Sequence, residues 1–277
     1  MGKVIVLTGA SDGIGAAAAA ALGEAGHTLI LVGRSPAKTK AVANRVGAAR
    51  YFTADFADLI QVRRMARRIR LICPRIDVLA NNAGGVFTGP RMTADGYEYT
   101  FQVNALAGLQ LTHDLLEPLL VARGAVVNTG SLAARLLGRL EPDHLDGRRF
   151  LTPMRAYGDS KLASVIFARG LHQRYNAEGL SAVAFHPGVI ATNIASEKGL
   201  GLHYVYHSPL RRLLTPAARG GTNLAYFAAG VAGATWESGR YYSARRQPVK
   251  SNPQVWDQAL CDAVWDRCSE LLDLDWL

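Results

Sequence analysis

Short apolar runs alternate along this chain with longer stretches whose apolar positions recur every three or four residues. Strand-like runs occupy Val4–Thr8, Thr28–Val32, Arg50–Thr53, Val78–Asn81, Ala125–Thr129, Ser181–His186 and Gly239–Tyr242. Several, such as Val4-Ile5-Val6-Leu7, are apolar at consecutive positions, the pattern of a strand covered on both faces in a parallel sheet. Helical periodicity fills the intervals at Ile14–Ala25, Pro36–Val46, Leu59–Ile72, Ala94–Leu120, Arg155–Ala177, Pro216–Ala229 and Pro253–Leu272. Strict alternation of the two predicts an α/β fold, a doubly wound, mostly parallel seven-stranded sheet with helices on both faces. No repeat, low-complexity tract or linker divides residues 1–277, so a single domain is expected.

Two segments break the rhythm. Residues 132–154 separate the fifth strand from the next helix by more than a turn requires, and residues 196–215 do the same after the sixth. Long loops at the C-terminal ends of strands in open α/β sheets are usually lids or binding loops. Leu136, Leu137, Leu140, Leu200, Leu202, Tyr204, Tyr206, Leu213 and Leu214 lie in them and would either line an apolar pocket or pack the loops down.

Composition narrows the class. With 49% hydrophobic and 19% charged residues the chain is globular rather than disordered. The net charge of +9 admits nucleic acid as a partner, but the basic residues are scattered. Their densest run, Val62 to Arg70, reads as the wet side of an amphipathic helix with Val62, Met65, Ala66 and Ile69 on the dry side. Nucleic acid is therefore not expected. Cys73, Cys261 and Cys268 cannot all pair and no CxxC is present, which leaves zinc without support and favours reduced thiols in a cytoplasm. His203 and His207 are four apart but lack a third ligand, so no metal is expected. No leader and no apolar run of about 20 residues is seen, so no transmembrane segment is expected.

Chemistry enters at Thr8-Gly9-Ala10-Ser11-Asp12-Gly13-Ile14-Gly15. The glycines follow an apolar strand and open an alanine-rich helix, the context of a dinucleotide seat. Glycine lets the backbone approach a pyrophosphate, and the N–H groups at the start of the helix face its charge. The second strand ends Val32-Gly33-Arg34-Ser35, without the carboxylate that would hold the ribose 2′-hydroxyl of NAD. Arg34, aided by Lys38, offers charge-assisted contacts to a 2′-phosphate instead, so NADP(H) is preferred and NAD(H) is the alternative. Asp12 is a counter-signal, since a carboxylate repels phosphate.

Tyr157 and Lys161 stand four apart on a helical segment and share one face. A phenol of pKa near 10 is a poor base, and an adjacent ammonium stabilises its anion. Such a pair can protonate a reduced carbonyl or deprotonate an alcohol. Ser131, beyond the Ala125–Thr129 strand, can hydrogen-bond the substrate oxygen, or is a turn serine. Asn104 falls within a predicted helix, where its amide competes for backbone bonds.

These residues together resemble the short-chain dehydrogenase/reductase family in its classical branch, and within it the retinol dehydrogenase-like reductases. Thr8-Gly9-x-x-x-Gly13-Ile14-Gly15 resembles the cofactor motif, and Asn81-Asn82-Ala83-Gly84 the family's Asn-Asn-Ala-Gly beside the adenosine side of the cofactor. Asp55 and Phe56 sit where family members contact adenine. Asn104, Ser131, Tyr157 and Lys161 match a catalytic tetrad in order and type, while Pro187-Gly188-Val189-Ile190-Ala191-Thr192 resembles the segment near the nicotinamide. Gly130 departs from the pattern by replacing a frequent first serine, and no N-terminal anchor like that of many retinol enzymes is seen. The resemblance implies a Rossmann-type fold, a cofactor seat that includes Ser11, Asp12 and Ile14, and hydride transfer between a nicotinamide and a carbonyl carbon. It also implies that Tyr157 is the acid/base, that Lys161 lowers its pKa and binds the nicotinamide ribose, and that Ser131 orients the carbonyl. Asn104 would hold a water linking Lys161 to solvent. Family members often form homodimers or homotetramers through the Asn104 and Tyr157 helices. The rival readings are a non-catalytic NADPH-binding sensor on the same fold and a nucleotide-sugar epimerase or dehydratase on a related one.

Overall fold

The structure is a computed structural model that describes residues 2–89, 91–145, 152–188, 190–191 and 215–277. Seven strands form one parallel sheet: β1 (Val4–Thr8), β2 (Thr28–Gly33), β3 (Arg50–Thr53), β4 (Val78–Asn81), β5 (Ala125–Thr129), β6 (Ser181–Phe185) and, last in the chain, β9 (Tyr241–Tyr242). Their order is β3-β2-β1-β4-β5-β6-β9, so the winding reverses between β1 and β4. Two two-residue strands, β7 (Ile190–Ala191) and β8 (Thr215–Pro216), pair with each other outside that sheet. The expected doubly wound α/β fold is therefore observed.

The consecutive apolar runs are explained by two cores. Val6, Ile30, Val32, Leu79 and Val126 enter one, and Ile5, Leu7, Leu29, Leu31, Val78 and Val127 the other. Successive residues of a strand point to opposite faces, so each run fills both cores at once. The first core is closed by α3 (Leu59–Ile72), α5 (Ala107–Asp114), α8 (Pro153–Tyr175) and the C-terminal α10 (Gln258–Leu272). The second is closed by α1 (Gly13–Glu24), α2 (Pro36–Val46) and α9 (Ala217–Ala229). Along α3, Val62, Met65, Ala66 and Ile69 are buried as expected. Arg63 is not purely solvated, because its guanidinium donates to Gln110 Oε1 at 3.0 Å and to the Leu272 carbonyl at 2.9 Å, tying α3 to the end of α10.

Three expected elements differ. The single helix over Ala94–Leu120 is instead a turn of α4 (Tyr99–Phe101), a π-turn over Gln102–Leu106, α5, and after a break at Leu115 a separate α6 (Leu116–Ala122). The 132–154 segment is not all loop: α7 (Leu132–Leu136) follows β5 directly, capped by Ser131, and a 3₁₀ turn covers Pro142–His144. The last helix is a 3₁₀ turn at Pro253–Trp256 followed by α10, because Asp257 caps a fresh start by accepting from Leu260 N. Of the second expected loop, residues 196–214 lie outside the described residues. Among the described residues no helix is long and apolar enough to cross a membrane.

Helix α1 is held by an unusually close crossing with α9. A Cβ on Gly221 would lie 2.4 Å from the Ala17 Cβ and 2.8 Å from the Ala18 nitrogen. We expect Gly221→Ala to cost about 1–3 kcal/mol through overpacking, read as a lower midpoint in urea unfolding. An unchanged midpoint would show that α1 and α9 separate freely.

Candidate functional site

The candidate residues gather along the C-terminal edge of the sheet, around the reversal between β1 and β4, where open α/β sheets hold ligands. Gly9 leaves β1 with φ 66°, and a Cβ there would sit 2.8 Å from the Ala83 Cα. Gly15 approaches closer still, since its Cβ would lie 2.2 Å from the Gly9 carbonyl oxygen. Only glycine fits this fold of the loop against the start of α1. Asp12 caps α1 through Oδ1, which accepts from Gly13 N at 2.8 Å, and its Oδ2 pairs with Lys38 Nζ at 2.9 Å. The first-turn N–H groups of α1, around Ile14, have no acceptor inside the helix and make an anion seat. The backbone cradle thus fits a pyrophosphate, and the Asp12 charge is balanced by Lys38 rather than left against it.

Beside the cradle, β2 ends at Gly33. A Cβ there would meet Thr39 Oγ1 at 2.3 Å and Ser11 Cβ at 2.9 Å, so Ser11 packs onto the strand end. Arg34 follows, exposed. Asp55 turns the chain after β3 by accepting from Ala57 N at 3.0 Å, and Phe56 is buried. Ser11 and Arg34 thus lie at the end of β2, and Asp55 lies just beyond the end of the neighbouring β3.

A polar stitch joins the strand ends beneath this seat. Thr8 Oγ1 accepts from the N–H groups of Asn82 at 2.9 Å and Ala83 at 3.0 Å and donates to the Ala80 carbonyl at 3.1 Å. The Asn82 amide donates to the Thr8 carbonyl at 3.1 Å, and its Oδ1 accepts from Thr129 Oγ1 at 3.2 Å. Asn81 turns the other way, donating to Thr112 and Asn128. Gly84 has φ 150°, and a Cβ there would lie 2.5 Å from Asn104 Oδ1 and 3.4 Å from Lys161 Nζ.

Tyr157 and Lys161 come from one face of α8, whose start is capped by Thr152 and opened by Pro153. Lys161 Nζ donates to the Thr129 carbonyl at 2.9 Å and lies 5.9 Å from the centre of the Tyr157 ring. Burial alone lowers its pKa from 10.5 to about 8. Ser131 caps α7, accepting from Ala133 N at 3.2 Å, which leaves its hydroxyl proton available for another acceptor. Asn104 lies in the π-turn with both amide atoms engaged: Oδ1 accepts from Gly85 N at 2.8 Å, and Nδ2 donates to the Gly85 carbonyl at 2.9 Å and to Ser160 Oγ at 3.1 Å. Ser160 in turn donates to the Tyr157 carbonyl at 2.8 Å. Pro187 is buried and Gly188 has φ 96°, while Val189 and Thr192 lie outside the described residues.

The sequence reading missed two contributors. Thr129 holds Lys161 through a main-chain carbonyl, which no side-chain motif reports. Tyr241, on β9, donates to the Ser131 carbonyl at 2.9 Å, and only strand order brings these residues together. Cys261 and Cys268 are buried on one face of α10 as expected, and all three cysteines are free.

The low pKa of Lys161 has a stability consequence. Between about 8 and 10.5 the unfolded chain holds this proton and the folded chain does not, so stability from this group rises with pH across that window. Below pH 8 the full desolvation penalty of the buried ammonium remains. We expect the stability advantage of Lys161→Met over the wild type to shrink by roughly 3 kcal/mol between pH 7.5 and 10.5, followed by urea unfolding at several pH values. A difference that is flat in pH would mean that Lys161 titrates normally.

Comparison with known proteins agrees with this fold. The short chain dehydrogenase family model matches residues 3–201. A Streptomyces sp. (strain C5) protein, provisionally assigned as a daunorubicin C-13 ketoreductase, is 38% identical over 271 residues, covering 96% of this chain and 91% of the relative. Mouse retinol dehydrogenase 12 is 31% identical over 99% of this chain and 88% of its own length. Among solved structures, an uncharacterised Mycobacterium paratuberculosis protein superposes with a TM-score of 0.81 at 29% identity, covering 99% of this chain and 95% of that one. A provisionally assigned short chain dehydrogenase from Escherichia coli CFT073 complexed with NADPH gives a TM-score of 0.66 at 26% identity, covering 88% and 96%. The chain belongs to the short-chain dehydrogenase/reductase family of oxidoreductases, with retinol dehydrogenase-like reductases among its relatives.

Proposed function

We propose that this protein is an NADP(H)-dependent oxidoreductase that interconverts an alcohol and a carbonyl on an apolar substrate, with Tyr157 as its acid/base. The observation that carries the reading is the buried Lys161 ammonium, fixed by the Thr129 carbonyl next to the Tyr157 ring at the same strand ends as the glycine cradle. The nicotinamide, when bound, supplies or accepts the hydride. In the reducing direction Tyr157 would give its phenol proton to the carbonyl oxygen of the substrate. Lys161 stabilises the phenolate left behind. Ser131 donates its free hydroxyl proton to the substrate oxygen as charge develops. Asn104, tied to Gly85 and Ser160, holds the turn that carries Gly84 past Lys161 and would hold a water linking Lys161 to solvent.

Gly9, Gly13, Ile14 and Gly15 would seat the pyrophosphate, with Asn82, Ala83 and Gly84 beneath it. Pro187, Gly188, Val189 and Thr192 would flank the nicotinamide. NADP(H) is favoured over NAD(H) by the exposed Arg34 at the end of β2 and by the pairing of Asp12 with Lys38. The relatives named as ketoreductase and retinol dehydrogenase support an apolar carbonyl or alcohol as substrate. So do Leu136 and Leu137, exposed just beyond Ser131, whereas Leu140 is buried in the core. Two cores built on one sheet support a single domain, and three free thiols support a cytoplasmic location. Assembly through α8 is disfavoured, because α10 covers its outer side: Phe167 meets Trp265 edge-on at 6.3 Å.

Tyr157→Phe should lower turnover of a verified ketone by at least about 100-fold while NADPH affinity stays within a few-fold, measured by steady-state kinetics and fluorescence titration. Near-normal turnover would overturn the assignment. Loss of the cofactor phosphate contact is separable: Arg34→Ala should weaken NADPH by about 10- to 100-fold and leave NADH affinity nearly constant. Equal weakening of both would remove the argument for NADP.

A further inference from the structure

Gly130 is explained by a residue more than a hundred positions away. A Cβ at Gly130 would lie 3.1 Å from Cε2 of Tyr241 and 3.1 Å from the Phe185 carbonyl oxygen. The aromatic ring of Tyr241 occupies the space a side chain at position 130 would need. Tyr241 is itself buried at 6% exposure, and its hydroxyl donates to the carbonyl oxygen of Ser131 at 2.9 Å. The ring and the hydroxyl therefore grip consecutive residues of the β5–α7 joint. Burial first, and the nearby Tyr157 phenol second, raise the Tyr241 pKa above its ordinary value. It thus stays a protonated donor at any physiological pH, and the same interaction places it within electrostatic reach of Tyr157. His186 lies beside the ring in a tilted arrangement, the ring centres 5.8 Å apart.

The joint needs such a grip. Gly130 donates its N–H to the Phe185 carbonyl at 2.7 Å, and glycine, lacking a Cβ, restrains its own backbone less than any other residue. Ser131 must hold its hydroxyl along one line to be useful to a substrate oxygen, and hydrogen bonds weaken steeply off line. We propose that Tyr241 is a positioning residue for Ser131: its ring replaces the missing side chain at position 130, and its hydroxyl fixes the Ser131 main chain. The inference rests on the reading of Ser131 as the group that polarises the substrate carbonyl.

The test is a double-mutant cycle on ketone reduction with NADPH, using Tyr241→Phe, Ser131→Ala and both together. Tyr241→Phe keeps the ring and removes the donor. It should lower kcat about 10-fold, with NADPH affinity and thermal midpoint near wild type. Ser131→Ala should cost more, and the double variant should equal Ser131→Ala alone, because there is no hydroxyl left to position. Gly130→Ala, which pushes the ring while keeping its hydroxyl, should lower kcat in the same direction. Wild-type kcat in Tyr241→Phe, or a loss that multiplies with that of Ser131→Ala, would overturn the inference while leaving the function of Ser131 intact. Full turnover in Ser131→Ala would instead overturn the reading on which the inference stands.

Discussion

The Thr8 hydroxyl is the joint on which the site depends. It is fully buried, accepts two main-chain N–H groups from the segment after β4 and donates to the Ala80 carbonyl of that strand. Through Asn82 the same joint reaches Thr129 at the end of β5, and through the Thr129 carbonyl it reaches Lys161 on α8. One continuous set of hydrogen bonds therefore runs from the loop that would hold the pyrophosphate to the ammonium that would activate the phenol. A buried polar network of this kind is valuable only when each member is satisfied. A valine at position 8 would fill the space of Thr8 and leave the Asn82 and Ala83 N–H groups without their acceptor, a cost of about 1–3 kcal/mol for each unsatisfied buried group.

The same network explains how the fold tolerates Lys161. An ammonium removed from water loses far more than one carbonyl returns, and its lowered pKa records the deficit. No carboxylate of the described residues pairs with it among the ion pairs of the chain. A carboxylate would have restored the normal pKa but also quenched the field felt by Tyr157. A neutral carbonyl holds the group in place and, under the proposed mechanism, would leave its charge to act on the phenol. Stability given up locally in this way is common at sites that move protons.

The central strands were legible because each fills two cores at once. Residues such as Val6 and Leu7 leave no polar position to misread, and strand bounds fall within a residue or two of expectation. The glycine loop, Tyr157, Lys161, Ser131 and Asn104 were legible as types at a spacing. What was not legible depends on distance in the chain. Thr129 contributes a carbonyl, which every residue has. Tyr241 acts on Ser131 only because β9 lies beside β6, and a two-residue strand carries too little pattern to announce its register. The short helix α7 was hidden because Leu132-Ala133-Ala134-Arg135-Leu136 is too brief for periodicity to separate from a loop.

Asn104 is a local misfit that the fold accommodates by a change of helix type. A polar amide in an apolar helix is unfavourable, and here the helix answers it by changing pitch: Ala107 N reaches back five residues to the Gln102 carbonyl. An added residue in one turn rotates everything downstream by about 100° relative to everything upstream. Phe101, upstream of the π-turn, and Leu109, downstream of it, both enter the first core. A regular helix through the same residues would turn Leu109 by about 100° relative to Phe101. The π-turn lets both pack while Asn104 closes on Gly85 from each side. The packing of the core and the placement of the amide are thus met by the same irregularity, of a kind that occurs frequently at functional sites.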